Sequence, residues 1–176
     1  MNLVFIGYRG TGKTALSHEL SARLGMPVFH MDEILEERFG EKISEFVQKC
    51  GWPAFRDAEA ALAEELSQKE GVIIDCGGGV VTRQTNMDHL RRKGFIVWLQ
   101  ADLFTIRKRI GDDGNRPSLT GKKSSTDEIT EVLNQRIPLY ESAADMEIDT
   151  STHPFPECVN QIMLAWRDHL ETMETS

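Results

Sequence analysis

The segment GYRGTGKT, residues 7–14, constrains the fold of this chain more than any other part of the sequence. It satisfies the spacing G-x-x-x-x-G-K-[ST], and the apolar run LVFI (3–6) comes directly before it. Glycines let the backbone turn so that successive N–H groups point inward, and the helix beginning near Lys13 adds the positive end of its dipole. A strand, a glycine-rich turn and a helix in this order predict a phosphate-binding loop.

Two side chains of this loop predict its ligand. We expect the Lys13 ammonium to bridge the β- and γ-phosphates of a nucleotide and the Thr14 hydroxyl to coordinate Mg²⁺. The residues predicted to hold the nucleotide on this loop are Gly10, Thr11, Gly12, Lys13, Thr14 and Ala15. The loop therefore predicts binding of ATP or GTP. The guanine-reading motif N-K-x-D does not occur in the sequence, and the length of 176 residues fits a small-molecule kinase.

Short apolar runs alternate with longer amphipathic segments along the rest of the chain. Strands are predicted at residues 3–6, 27–29, 72–75, 95–99 and 146–148. Helices are predicted at residues 13–24, 33–49, 53–69, 84–93, 102–110, 126–143 and 155–170. Strands that are apolar on both faces belong to parallel sheets covered by helices on each side. The pattern predicts one three-layer α/β domain over residues 1–176 with a central five-stranded parallel sheet.

Residues 111–125, GDDGNRPSLTGKKSS, interrupt this alternation because they are polar, rich in glycine and without periodicity. An insertion of this kind inside a compact α/β domain predicts a mobile lid.

Composition excludes several classes of partner. The formal net charge of −8 argues against a nucleic-acid backbone or an anionic membrane as the main partner, and no apolar run is long enough to span a bilayer. The cysteines at positions 50, 76 and 158 are widely spaced, which predicts buried thiols in a reduced, cytoplasmic protein without disulfides. No apolar stripe is left over once the helices are placed, so we expect a monomer.

A second group of residues is expected to meet the phosphate-binding loop, because its members follow predicted strands or lie on the lid. Taken singly they are weak signals, since an arginine in a helix is more often a surface residue. They are Asp32, Arg56 in AFRDAE, GGG at 77–79, Arg116 in NRPSL and Arg136 in QRIPLY. Together with the loop, and in this order, they closely resemble the shikimate kinase family over nearly the whole chain.

The resemblance implies a P-loop NTPase fold of the nucleoside-monophosphate-kinase type and transfer of the ATP γ-phosphoryl group to the 3-hydroxyl of shikimate. It implies catalytic roles for Lys13, for Asp32, which orients the attacking hydroxyl, and for Arg116, which reaches the transferring phosphate. Phosphoryl transfer needs charge neutralisation more than a strong base, and Lys13, Mg²⁺ and Arg116 provide it.

The acceptor site is implied in the same way. Arg56 and Arg136 match the family pair that grips the substrate carboxylate, and planar guanidinium groups suit that task. Gly77, Gly78 and Gly79 match the loop that closes over the ring. A kinase of another hydroxy acid, such as gluconate or quinate, and a non-catalytic nucleotide-binding module remain open alternatives.

The sequence departs from the family at the metal site. Shikimate kinases typically carry D-x-D after the second strand, and the first of these positions is His30 here. Imidazole is a poor replacement because Mg²⁺ prefers oxygen ligands. We hypothesise that Asp75, at the end of VIID, supplies the missing carboxylate alongside Thr14, mainly through water; the alternative is that Asp75 caps the glycine loop. For His30 the sequence favours a hydrogen bond to nearby backbone, with contact to Asp32 or substrate left open.

The segment DTSTHP (149–154) is a second departure. Shikimate kinases often place an arginine there against the adenine, and this segment contains only His153. ATP remains the expected phosphoryl donor.

Overall fold

A computed structural model describes residues 1–110 and 125–174 of the chain. The strands and helices follow one another as β1 (Asn2–Ile6), α1 (Lys13–Leu24), β2 (Val28–His30), α2 (Met31–Phe39), α3 (Ile43–Ser67), β3 (Ile73–Asp75), α4 (Gln84–Arg91), β4 (Gly94–Gln100), α5 (Leu103–Ile110), α6 (Ser125–Ala143), β5 (Met146–Asp149) and α7 (Phe155–Glu174). A 3₁₀ turn at Val80–Thr82 precedes α4. Most of the predicted lid, 111–125, lies outside the described residues, and so does Arg116.

The strands form one parallel sheet in the order β2-β3-β1-β4-β5, which confirms the predicted five-stranded parallel sheet. β1 lies at the centre, and the phosphate-binding loop follows it. Its neighbour β3 ends beside the start of that loop, because Phe5 of β1 is in register with Asp75 of β3. In parallel α/β sheets, ligands bind at the carboxyl ends of the strands, which is where these loops lie.

The alternating directions of the side chains along β1 explain the three layers of the fold. Leu3 and Phe5 pack on one face of the sheet with residues of α1 and α7. Val4 and Ile6 pack on the other face with residues of α2, α3, α4 and α6. Since successive side chains of a strand point to opposite faces, a strand buried on both sides is apolar along nearly its whole length. All five residues of β1 are buried; residues 3–6 are apolar, and the Asn2 side chain donates to Lys69 O and accepts from the Val72 N–H.

The prediction of one continuous helix over residues 33–49 was wrong. Gly40 ends α2 in the left-handed conformation (φ 67°), and its N–H donates to Glu37 O. α3 begins at Ile43 and is interrupted at Gly51, where φ is 82° and ψ is 164°. Both breaks lie at glycine because only glycine adopts these angles without steric cost. The helix predicted at 53–69 is the second half of α3, and it ends at Ser67.

Two observations complete the fold. Within residues 1–110 and 125–174, no helix combines the length and the apolar character needed to cross a membrane. Cys76 and Cys158 are buried free thiols, as predicted, whereas Cys50 is exposed on α3 and the prediction for it was wrong.

Candidate active site

The phosphate-binding loop folds tightly against the end of β4. Gly7 has φ 138°, and a Cβ added there would overlap the carbonyl oxygen of Leu99. Gly12, with φ 95°, ends the loop and begins α1. The Thr11 hydroxyl donates to Tyr8 O over 2.7 Å and is buried, so Thr11 contributes to the loop through its backbone and through this internal hydrogen bond. The loop is a rigid turn that ends at a helix N-terminus, where backbone N–H groups lack partners within the helix.

Lys13 lies across this loop. Its Nζ donates to Gly7 O over 2.9 Å and to Tyr8 O over 3.0 Å, and the residue is buried. The positive charge is therefore held over the turn, next to the N-terminus of α1. Two sources of positive potential coincide there, which favours an anion with several phosphate oxygens.

Two donors converge on one oxygen of Asp75. The Thr14 hydroxyl donates to Asp75 Oδ2 over 2.8 Å, and His30 Nδ1 lies 2.9 Å from the same oxygen. The predicted hydrogen bond from His30 to nearby backbone is therefore wrong. The reason is the register of the sheet, in which His30 of β2 pairs directly with Asp75 of β3. Residues paired in this way point to the same side of the sheet, so their side chains meet.

The oxygen atoms of Thr14 and Asp75 suit magnesium as ligands. Because the Thr14 hydroxyl gives its proton to Asp75, the lone pairs of its oxygen stay available for a cation. Within the described residues, no three His, Cys, Asp or Glu side chains gather as a metal site. Mg²⁺ in phosphoryl-transfer sites takes only one or two protein ligands and completes its shell with phosphates and water. Thr14 and Asp75 fit that limited role.

Arg56 and Glu59 form a buried ion pair on α3. Arg56 Nη1 lies 2.6 Å from Glu59 Oε2, with the Glu59 side chain 1% exposed and that of Arg56 16% exposed. The guanidinium also lies over the rings of Trp52 and Phe55 at 5.3 and 5.1 Å. Glu59 was not among the predicted site residues. Its i, i+3 spacing from Arg56 was the available signal, but its burial was not visible in the sequence.

The second predicted arginine contacts the glycine loop directly. Arg136 Nη1 donates to Gly78 O over 2.9 Å, and the Tyr140 hydroxyl donates to the same oxygen over 2.5 Å. Tyr140 is fully buried, and burial raises its pKa to about 12. Tyr140 also escaped the sequence-based prediction, although it follows Arg136 by one helical turn in QRIPLY.

Close packing excludes a side chain at two of the three glycines, Gly77 and Gly79. A Cβ at Gly77 would lie 2.6 Å from Asp32 Oδ1, and one at Gly79 would overlap the guanidinium of Arg56. A Cβ at Gly78 would lie 3.4 Å from Gly7 O, in ordinary contact with the phosphate-binding loop. The glycine loop therefore connects Asp32, Arg56 and the phosphate-binding loop.

Electrostatics confirm that these charged groups share one environment. Burial raises the pKa of the Glu59 carboxyl, and the nearby Asp32 carboxylate raises it further. Arg56 and Arg136 oppose this shift and lower the pKa. All three charged partners thus act on one buried carboxylate. The predicted acceptor residues Asp32, Arg56 and Arg136 lie together around Glu59.

A cleft of about 460 Å³ lies beside Asp32, and its lining does not include Arg56 or Arg136. It is lined by the phosphate-binding loop, by Asp32 and Gly78, and by the corner formed by His30 and Asp75. Its volume suits a small organic molecule together with phosphate groups.

A second cavity of about 350 Å³ adjoins the other side of the loop at Gly12, and its lining includes Arg109, His153 and Phe155. Arg109 comes from α5, and its Nη2 donates to Thr150 O over 2.8 Å. An arginine therefore lies beside segment 149–154, although the segment itself contains none. The arginine comes from a helix distant in sequence, so segment 149–154 alone could not reveal it.

Comparison with known proteins agrees with this arrangement. The family model described as Shikimate kinase matches residues 9–167. A shikimate kinase of Syntrophus aciditrophicus is 38% identical over 92% of this chain and 89% of its own length, and one of Dehalococcoides mccartyi is 33% identical over 97% and 96%. The solved shikimate kinase of Acinetobacter baumannii, in complex with shikimate, has a TM-score of 0.89 at 26% identity, covering 96% of this chain and 93% of that chain. The predicted P-loop NTPase fold is confirmed, and this chain is a member of the shikimate kinase family.

Proposed function

We propose that this protein transfers the γ-phosphoryl group of ATP to the 3-hydroxyl of shikimate, giving shikimate 3-phosphate and ADP. The observation that carries the proposal is the position of Gly78. It packs against Gly7 of the phosphate-binding loop, while its carbonyl oxygen accepts a hydrogen bond from Arg136. The proposed phosphate site and the proposed carboxylate grip thus adjoin one short loop.

The acceptor side suits a hydroxylated carboxylic acid. Two guanidinium groups can hold a carboxylate through paired hydrogen bonds, and Glu59 holds the Arg56 guanidinium in place beforehand. Asp32 lies beside Gly77 and lines the cleft, where it would accept hydrogen bonds from acceptor hydroxyls and orient the attacking one. The shikimate complex of the Acinetobacter baumannii relative supports this choice of acceptor.

The donor side suits ATP. The triphosphate would lie on the loop from Gly10 to Ala15, and the adenine in the cavity between Arg109 and the segment after β5. Lys13 would neutralise charge on the β- and γ-phosphates, and Arg116 on the predicted lid would neutralise charge on the transferring group. Mg²⁺, when bound by Thr14 and Asp75, supplies further neutralisation of the phosphate oxygens.

A coupled assay of ADP release tests the proposal. We expect turnover with ATP, Mg²⁺ and shikimate, and at most slow release of ADP with quinate, gluconate or no acceptor. Turnover with quinate or gluconate alone would identify a different acceptor. Nucleotide binding without turnover on any acceptor would indicate a non-catalytic nucleotide-binding protein.

We further propose a monomer that acts in the cytoplasm, without nucleic-acid or membrane partners. The net charge of −8 supports the absence of polyanionic partners. Sedimentation at micromolar concentration tests the monomeric state, and a mass of about twice 19.9 kDa would contradict it.

A further inference from the structure

We infer that His30 is a positioning residue for the metal site, which holds the Asp75 carboxylate in the orientation that Thr14 and Mg²⁺ require. The inference rests on the proposed role of Asp75 in binding Mg²⁺. It assigns a task to a residue that stands where the family has a carboxylate.

The first support is the convergence of donors on Asp75 Oδ2. His30 Nδ1 and Thr14 Oγ1 lie 2.9 and 2.8 Å from this oxygen, from β2 and α1 respectively. A carboxylate held by one donor can still turn about its Cβ–Cγ bond. Two donors on different elements fix its plane, and with it the position of the second oxygen.

The second support is the burial of the pair. The side chains of His30 and Asp75 are only 12% and 8% exposed, and the sheet register holds the two residues opposite each other. Water therefore has little access to compete for the hydrogen bond. Ionised carboxylates only accept hydrogen bonds, so His30 Nδ1 must carry the proton of this contact.

The third support is that the ring makes no competing polar contact. Among the described residues His30 Nε2 is buried without a hydrogen-bond partner, and the ring packs at 4.8 Å from the ring of His18. The single polar task of the imidazole is thus directed at Asp75. This is the arrangement by which residues behind a metal ligand orient it.

The consequence concerns the Thr14 hydroxyl. While Asp75 Oδ2 stays in place, the Thr14 proton has a fixed acceptor and the lone pairs of the hydroxyl oxygen stay available for a cation. If Asp75 turns away, the hydroxyl can turn too, and both oxygen groups lose the geometry that Mg²⁺ demands. Loss of a residue that orients a metal ligand typically costs about 10–100-fold in metal affinity.

The test compares two amide variants of His30. In H30N the amide nitrogen lies near the former Nδ1 position, so the donor to Asp75 is kept. In H30Q the amide nitrogen lies near the former Nε2 position, so the donor is displaced. Titration calorimetry of ADP with and without Mg²⁺ measures the gain in nucleotide affinity that the metal provides, and it requires no turnover. H18L is the matched control, since it alters packing on the His30 ring and leaves the contact with Asp75 in place.

We expect H30Q to raise the Mg²⁺ concentration for half-maximal gain by about tenfold, and H30N and H18L to stay within about twofold of the parent protein. ADP affinity without Mg²⁺ and the melting temperature without metal should be similar in all four proteins. A Mg²⁺ response in H30Q equal to that of H30N would overturn the inference. So would an equal loss in both variants, because the position of the donor would then be irrelevant.

The variant D75N separates the positioning role of His30 from the proposed role of Asp75 in binding Mg²⁺. If D75N loses the Mg²⁺-dependent gain while H30Q keeps it, Asp75 binds the metal and His30 does not position it. If D75N keeps the full gain, the metal role of Asp75 is wrong and the inference about His30 fails with it.

Discussion

The proposed donor side and the proposed acceptor side of the site are built in different ways. The donor side is one continuous segment, residues 7–14, in which Lys13 and Thr11 bond to backbone carbonyls of the same loop. The acceptor side gathers groups from α2, α3, α6 and the loop after β3, and side-chain contacts hold them. The geometry of a local turn depends only on the folding of one segment. The geometry of a site built from distant helices depends on every contact between those helices. Changes on the two sides should therefore have separable effects.

The largest effect is expected on the donor side, from K13M. This change removes the positive charge that spans the loop and leaves Gly7 O and Tyr8 O without their donor. We expect kcat to fall on the order of 10³-fold, because charge neutralisation supplies most of the catalysis of phosphoryl transfer. The measurement is steady-state release of ADP, with ADP affinity by calorimetry alongside.

If the two sides are independent, K13M still binds shikimate. Trp52 lies beside Arg56 and offers a fluorescence signal for acceptor binding. Loss of shikimate binding in K13M would show that the sides are coupled and would contradict the comparison.

The next effect is expected on the acceptor side, from R136M. Arg136 is buried, and we propose that its guanidinium is one of the two that hold the carboxylate of the acceptor. Removing a charged partner from a desolvated ion pair costs about 2–5 kcal/mol, so we expect KM for shikimate to rise by about 10²-fold or more. KM for ATP should change little. R83M is the matched control, since Arg83 makes a more exposed ion pair with Asp57 and should leave both constants unchanged.

A smaller effect is expected from E59Q, which tests whether the acceptor grip depends on a residue that need not touch the substrate. Glutamine keeps the shape of Glu59 but leaves Arg56 without its buried anion. We expect KM for shikimate to rise by about tenfold and ADP affinity to stay constant, because a hydrogen bond to a charged group contributes about 1.5–3 kcal/mol. An equal rise in KM for ATP would mean that E59Q disturbs the fold rather than the position of Arg56.

The smallest effect is expected from Y140F, which removes one donor from Gly78 O and leaves the Arg136 donor in place. A single neutral hydrogen bond contributes about 0.5–1.5 kcal/mol, so KM for shikimate should rise only about two- to tenfold. An unchanged KM in Y140F would show that Arg136 alone positions the loop.

The raised pKa of Tyr140 also predicts how the free energy of unfolding changes at alkaline pH. Burial raises its pKa to about 12, above the ordinary value of 10. Because its pKa is raised, Tyr140 stays protonated to a higher pH in the folded state than in the unfolded state. The resulting stabilisation is complete below pH 10 and is lost as the pH rises through 12. Between pH 9 and pH 11 the parent protein should lose about 1 kcal/mol of unfolding free energy relative to Y140F, measured by urea denaturation. An equal pH dependence in both proteins would contradict the raised pKa.

Sequence patterns predicted the elements of this fold better than their ends. The three inner strands β3, β1 and β4 were visible because buried parallel strands are continuous apolar runs, whereas the edge strands β2 and β5 are only partly buried. The phosphate-binding loop was visible because its spacing is local. The breaks at Gly40 and Gly51 were missed because the helical pattern continues across them. A glycine in such a pattern does not reveal whether its φ is positive.

The partners of the predicted residues were harder to foresee. Family resemblance indicated Arg56 and Arg136, yet neither Glu59 nor Tyr140 was expected beside them. Arg109 was missed because it reaches the cavity after β5 from a different helix. Each of these contacts depends on which faces of α3, α5 and α6 point inward, and that orientation is a property of the packed protein.

The sequence by itself determined the phosphate-binding loop, the parallel sheet and the family, because each depends on short-range spacing or on the order of motifs along the chain. Only the tertiary structure decided which side chain His30 contacts. The register between β2 and β3 places His30 opposite Asp75, a relation between residues 45 positions apart. Strand register results from packing both faces of the sheet at once, so no local pattern in either strand contains it.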